Sequence, residues 1–200
     1  MYSNVARGSG LRYFSDGIGR ARSPNEPKMK KMSAENLPQR KKVHLEDFDY
    51  ASRDHVFFVT LCTARKQPYF KNPDICTEII GELEFRRTSD EIKLFCFCIM
   101  PDHLHLLISL KESYPRKNGA FGDRTLQKWI SSFKRYSARR VGQMWDINPL
   151  WQKNFYDHVV RNDESLIDIC EYILNNPVRR GITSSWEEYR YSETVDPLPH

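Results

Sequence analysis

From residue 56 onward the apolar positions follow two clear periods; before about residue 45 they follow none. Val56-Phe-Phe-Val-Thr-Leu-Cys62 is dense in β-branched and aromatic residues and predicts a strand. Over 74–87, Ile75, Ile79, Ile80 and Leu83 recur at helical spacing behind Asn72-Pro-Asp74, a helix-start signal. Residues 92–100 read as a second strand. After the short break Pro101-Asp102, residues 103–110 read as a third strand, its hairpin partner. Pro115, Asn118, Gly119 and Gly122 mark a loop over 111–122. Over 123–141 a second helix is predicted, with Leu126, Trp129, Ile130, Phe133 and Tyr136 within a sector of about 120°, a stripe expected to pack on the sheet. A short fourth strand over 156–161 precedes a third helix over 164–175. Asp163 is expected to cap that helix and Pro177 to stop it, because the residue before a proline avoids the α region. The first six elements run β-α-β-β-α-β. They predict an α+β, ferredoxin-like antiparallel sheet with helices on one face, the other face free for a site, and an added C-terminal helix.

The third strand carries the first candidate chemistry. Side chains alternate faces along a strand, so His103, His105, Leu107 and Ser109 share one face and Leu104, Leu106, Ile108 and Leu110 the other. Two imidazoles roughly 6.5–7 Å apart at Cα can converge on one cation. Two half-exposed histidines on a sheet face is the plain alternative, and an H-x-H pair by itself does not decide between them.

In the third helix, Leu166, Ile167, Ile169, Cys170, Ile173 and Leu174 form a continuous apolar face. Tyr172 falls on the polar flank, free to point away from the core, and Asn176 lies one turn on. An amphipathic boundary tyrosine followed by an Asn-Pro stop describes the same residues. With 10 tyrosines in the chain, helical position alone does not single out Tyr172.

Charge adds one further candidate. The 200 residues carry a formal charge of +5, which permits a nucleic-acid partner without requiring one. In the second helix Arg124, Lys128, Arg135 and Arg139 fall within about 60° opposite the apolar stripe, with no acidic residue among them; a solvated face and a ridge that meets phosphates both describe them. Residues 1–45 are rich in Gly, Ser, Pro, Asn and basic residues and read as a basic, disordered arm. Residues 46–195 read as one domain and 196–200 as a tail. No run of eighteen apolar residues predicts a membrane span, and no secretory signal begins the chain. The five cysteines form no C-x-x-C pair and read as buried free thiols in a reducing cytosol, so a cytoplasmic location is expected.

Three segments in this order carry a family resemblance: Met100-Pro-Asp-His-Leu-His-Leu-Leu-Ile108, Leu150-Trp-Gln152 with Phe155, and Tyr172-Ile-Leu-Asn-Asn-Pro-Val-Arg-Arg-Gly181. Over roughly residues 50–195 the chain resembles the single-tyrosine HUH transposases, most closely the REP-associated tyrosine transposases of bacteria. The resemblance implies a single-stranded DNA endonuclease and strand-transferase acting on hairpin-forming DNA through a 5′-phosphotyrosine. It implies Tyr172 as nucleophile, His103 and His105 as ligands of Mn²⁺ or Mg²⁺, and Asn176 as the polar residue completing the metal site. A transesterification conserves bond energy, which fits the absence of a G-x-x-x-x-G-K-[ST] loop. The expected partner is single-stranded or hairpin DNA, with the protein a monomer or homodimer and no membrane involved. Two rival readings are a domesticated, non-cleaving hairpin DNA or RNA binder and a metal-dependent phosphoesterase that uses the histidines without the tyrosine. No RNP1-type motif supports RNA recognition.

Overall fold

The computed structural model describes residues 55–111, 125–161 and 164–199. Strand β1 is Val56–Cys62, helix α1 Pro73–Thr88, β2 Ile92–Met100, β3 His103–Leu110, α2 Leu126–Trp145 and β4 Tyr156–Val159. Then follow α3, Leu166–Leu174, a single turn α4, Asn176–Arg179, and β5, Ser192–Thr194. The strands form one sheet in the order β4-β1-β3-β2-β5, with every neighbouring pair antiparallel. Among the described residues no helix is long and apolar enough to cross a membrane.

Both faces of the sheet are covered, and a bulge in β2 makes this possible. Its register against β3 shifts between Leu94 and Cys96. Leu94, Phe97 and Ile99 therefore join the core under α1 and α2, while the consecutive Phe95 and Cys96, with Cys98 and Met100, join a second core. In that second core Cys170, Ile173 and Leu174 of α3 lie against β2 and Leu107 of β3. The first core is centred on Phe57, Leu104, Trp129 and Phe133, all fully buried. The face expected to stand free is thus partly roofed by α3, because the chain from Trp186 to Leu198 and α3 bring apolar side chains to it.

Local chemistry explains the element ends and several departures from expectation. Asn72 accepts from the Asp74 amide at 2.9 Å with Pro73 in the first turn, so α1 begins where its signal stands. Helix α2 starts behind Thr125 and runs to Trp145, four residues beyond the expected end; Asp123 and Arg124 lie outside the described residues. Ser165, not Asp163, caps α3: its hydroxyl accepts from the Asp168 amide at 3.1 Å, and Asp163 lies outside the described residues. Pro177 does not simply end the chain's helical path, since it sits in the first turn of α4, where its missing N–H costs nothing. Strand β4 ends at Val159 rather than 161. Strand β5 was not expected; its three residues carry no strand signal and are held by pairing with Cys96–Cys98.

Two helical faces also differ from the wheel. Tyr136 is 50% exposed, whereas Ser137 is buried, its hydroxyl accepting from Trp151 Nε1 at 2.9 Å. Ile167 is 61% exposed, and the buried stripe of α3 is rotated away from it toward Tyr172, because α3 lies on β2 and β3 rather than on the helical layer. All five cysteines are buried and free, as expected.

Candidate active site

The site is assembled on the sheet face that α3 partly covers. Register places Cys62 opposite His103, Thr60 opposite His105 and Phe58 opposite Leu107. The two imidazoles therefore point to the same side, as the alternation predicts, with ring centroids 4.6 Å apart. His103 Nδ1 lies 2.5 Å from an Asp102 carboxylate oxygen, and His105 Nδ1 lies 2.8 Å from the Thr60 hydroxyl. A carboxylate only accepts, so His103 Nδ1 carries the hydrogen and its Nε2 presents a lone pair. The Thr60 contact engages the same atom of His105, with Nε2 as the remaining donor site. Engaged Nδ1 and available Nε2 is how metal-ligating histidines are commonly held.

Electrostatics favour neutral rings. Burial pushes the pKa of His103 below the ordinary imidazole value, partly opposed by Asp102. Burial pushes His105 down much further, and the charges of His103, Arg179, Lys66 and Arg180 add to it. Burial alone would raise the Asp102 carboxyl, but its hydrogen bond with His103 and nearby positive charge, including Lys66 at 3.7 Å, leave it below the usual carboxylate range. Two neutral imidazoles are competent ligands at neutral pH.

Tyr172 comes to the same place from α3. Its ring is 6.4 Å from the His105 ring and 6.0 Å from Phe58, both edge-on, and the Arg179 guanidinium lies 4.0 Å above its centroid. The tyrosine is half-buried between the sheet and Arg179. It is not on a flank pointing away from the core, as the wheel suggested, because α3 turns this flank toward β1 and β3. Asn176 is 4% exposed. Its amide nitrogen donates to the carbonyls of Tyr172 at 3.0 Å and Ile173 at 3.2 Å, closing the end of α3, while Oδ1 lies 3.5 Å from Arg179 Nη2.

Among the described residues no group of three or more His, Cys, Asp or Glu side chains is arranged to hold a metal ion. His103 and His105 each keep Nε2 open, while the Asn176 carboxamide is engaged with the end of α3 and with Arg179. Two open imidazole nitrogens on one sheet face suit a divalent ion such as Mn²⁺.

Lys128, Arg135 and Arg139 are exposed along α2 and have no ion-pair partner among the described residues; Arg124 lies outside them. Neighbouring Arg140 is different, pairing with Glu78 at 3.2 Å. His158 faces the same side as Phe58 and bonds Glu164 at 2.6 Å. Sequence reasoning missed Thr60, Phe58, Asp102 and Arg179 as parts of the site. Asp102 and Arg179 stood inside the quoted segments; Thr60 and Phe58 needed the β1–β3 register.

Comparison with known proteins places the chain in a family. The family model described as Transposase IS200 like matches residues 51–176. A Haemophilus influenzae protein named putative REP-associated tyrosine transposase is 24% identical over 151 residues, covering 72% of this chain and 81% of its own. A REP-associated tyrosine transposase of Escherichia coli is 23% identical over 94 residues, 47% of this chain and 49% of its own. A solved structure of a REP-associated tyrosine transposase bound to a REP hairpin superposes with a TM-score of 0.51 at 18% identity, covering 74% of this chain and 81% of that one, a likeness of fold.

Proposed function

The chain belongs to the family of IS200-like transposases, and on that premise we propose that it cuts and rejoins single-stranded DNA beside hairpins of the REP type, with Tyr172 as nucleophile. Its catalytic unit is residues 46–195: a ferredoxin-like sheet β4-β1-β3-β2 with α3 as the tyrosine-bearing helix. One observation carries the reading. His103 and His105 of β3 and Tyr172 of α3, far apart in sequence, lie within ring-contact range on one sheet face.

In the proposed reaction Tyr172 Oη forms a bond to the scissile phosphorus and the P–O3′ bond breaks. The products are a 5′-phosphotyrosine and a 3′-hydroxyl; the phenol loses its proton and the leaving oxygen gains one. His103 and His105, with Asn176, would hold Mn²⁺ or Mg²⁺ here. Such an ion, when bound, polarises the phosphate and stabilises charge on the leaving oxygen. The chain's own side chains do the rest. Phe58 and Arg179 clasp the Tyr172 ring, and the Arg179 charge favours an incoming phosphate. Asp102 and Thr60 fix the imidazoles. The closed end of α3 fixes the tyrosine's height over the sheet.

The test is Tyr172→Phe, which keeps the ring packed and removes only the hydroxyl. Incubated with single-stranded repeat DNA and Mn²⁺, the parent is expected to give a denaturant-resistant protein–DNA adduct. The variant is expected to give none while binding DNA as the parent does. An adduct formed by the variant would place the nucleophile elsewhere; binding by the parent without any adduct would favour a protein that only holds the hairpin.

A further inference from the structure

Helix α2 and the segment leading into β4 enclose a groove of about 350 Å³ that the proposed reaction does not use. Its apolar lining is Ala138, Pro149, Trp151 and Phe155, backed by the fully buried Ile130 and Leu150. Arg135 and Lys153, both exposed, stand on its rim, and among the described residues no carboxylate lines it. Hydrogen bonds build this shape. Lys134 Nζ donates to the carbonyls of Gln152 at 2.5 Å and Lys153 at 2.9 Å, strapping the segment to α2. The Gln152 amide donates to the Cys62 carbonyl at 2.9 Å, so the same segment is pinned to the end of β1.

That end of the sheet is also where the histidine pair lies. Fully buried Thr63 donates its amide to the Asp102 carbonyl at 3.0 Å, shares its hydroxyl between the carbonyls of Gln67 at 2.7 Å and Asp102 at 3.0 Å, and bridges Trp151 on its other side. One residue therefore links the loop holding Asp102 and His103 to the lining of the groove.

We propose that the groove is a second DNA subsite, holding one unstacked nucleotide of a single strand with its base on the apolar lining and its phosphate against Arg135 and Lys153. The inference rests on the reading of the chain as a DNA-processing transposase. The apolar part of the lining meets the base, the cations of the rim meet the phosphate, and the volume lies in the range of small-ligand sites. A duplex end has no unstacked base to offer, so the occupant is the single-stranded flank of a hairpin.

The experiment uses the full chain carrying Tyr172→Phe, so that binding is read without cleavage and independently of whether Tyr172 is the nucleophile. Fluorescence anisotropy compares a labelled hairpin with a single-stranded oligothymidine flank against the same hairpin blunt, across 50–200 mM salt, a range of roughly fourfold over which phosphate contacts separate clearly. Ala138→Leu fills the groove without changing charge. It is expected to weaken binding of the flanked hairpin about tenfold with its salt slope unchanged, as loss of one base contact predicts. Lys153→Gln is expected to lower that slope by about 0.7, one single-strand phosphate. The blunt hairpin is expected to bind both variants as it binds the parent. Parent-like affinity and slope of both variants for the flanked hairpin would overturn the subsite, as would equal losses on flanked and blunt DNA. Should Ala138→Leu fail to fold, the Lys153→Gln slope decides alone.

Discussion

Each imidazole at the candidate site is only as useful as the group behind it. Thr60 is the informative case, because its hydroxyl meets the candidate site through His105 Nδ1 at 2.8 Å. Thr60→Val keeps the β-branched shape that suits a strand and deletes that contact. Loss of such a supporting hydrogen bond typically lowers metal affinity about 10–100-fold. Calorimetric titration with Mn²⁺ is expected to show a fall of that size with an unchanged far-ultraviolet spectrum, and unchanged affinity would mean that His105 is held by packing alone. Arg179 is a second residue whose position matters more than its identity as a surface cation. It covers the Tyr172 ring and reaches the Asn176 carboxamide, so one side chain bridges two members of the site.

Among the elements, α3 decides whether there is a site at all, since it alone carries Tyr172 over β3. It rests on β2, and β2 is held from its outer side by β5 and the residues after it. Asp196 is central to that hold: Arg87 Nη2 donates to its carboxylate at 2.7 Å and the Leu94 amide at 2.8 Å. The chain is thus still bound to the sheet at residue 196, where a tail was expected to begin. Burial would raise the Asp196 carboxyl pKa, but the hydrogen bonds from Arg87 and Leu94 outweigh it and hold the group below its ordinary value. A folded-state pKa below the unfolded one gives stability that is present above the unfolded pKa, about 3.9, and lost as pH falls through the folded value. Asp196→Asn is therefore expected to cost about 1–2 kcal/mol in urea unfolding at pH 7, the worth of hydrogen bonds to a charged group. The gap between parent and variant should close as pH drops below about 4. A gap that persisted undiminished into acid would assign the effect to shape rather than charge.

At the scale of the whole molecule, the cations of α2 and the site occupy different faces. The histidines and Tyr172 lie under α3, while the exposed cations of α2 lie on the helix that covers the opposite face. A DNA hairpin engaged by both must pass around the sheet, and the end of β1 at Thr63 is the route the groove marks. Lys128 and Arg139, which do not line the groove, report on the ridge alone. Replacing both with Gln is expected to lower the log–log salt slope by roughly 1.4–1.8 units and to weaken binding alike for all sequences. A parent-like slope would make the ridge an ordinary solvated surface; a loss confined to one sequence would make these side chains readers of bases or hairpin shape.

Strand and helix periods alone determined that His103 and His105 share a face, that Leu104, Leu106 and Ile108 fill the core behind them, and that β1, α1, β2 and β3 form in order. These are properties of neighbours in the chain, where side-chain direction follows from backbone geometry. The linear pattern left open which way Tyr172 points, because a helical wheel gives angles within a helix and not the surface against which it rests. Packing settled it: the bulge at Phe95 and Cys96 and the apolar side chains of residues 186–198 made the far face of the sheet a second core, α3 was drawn onto that core, and Ile167 rather than Tyr172 was turned out. Thr60 and Arg179 entered the site for the same reason, one through the register of β1 against β3 and the other through the turn after α3. Both are contacts between segments that no local period encodes.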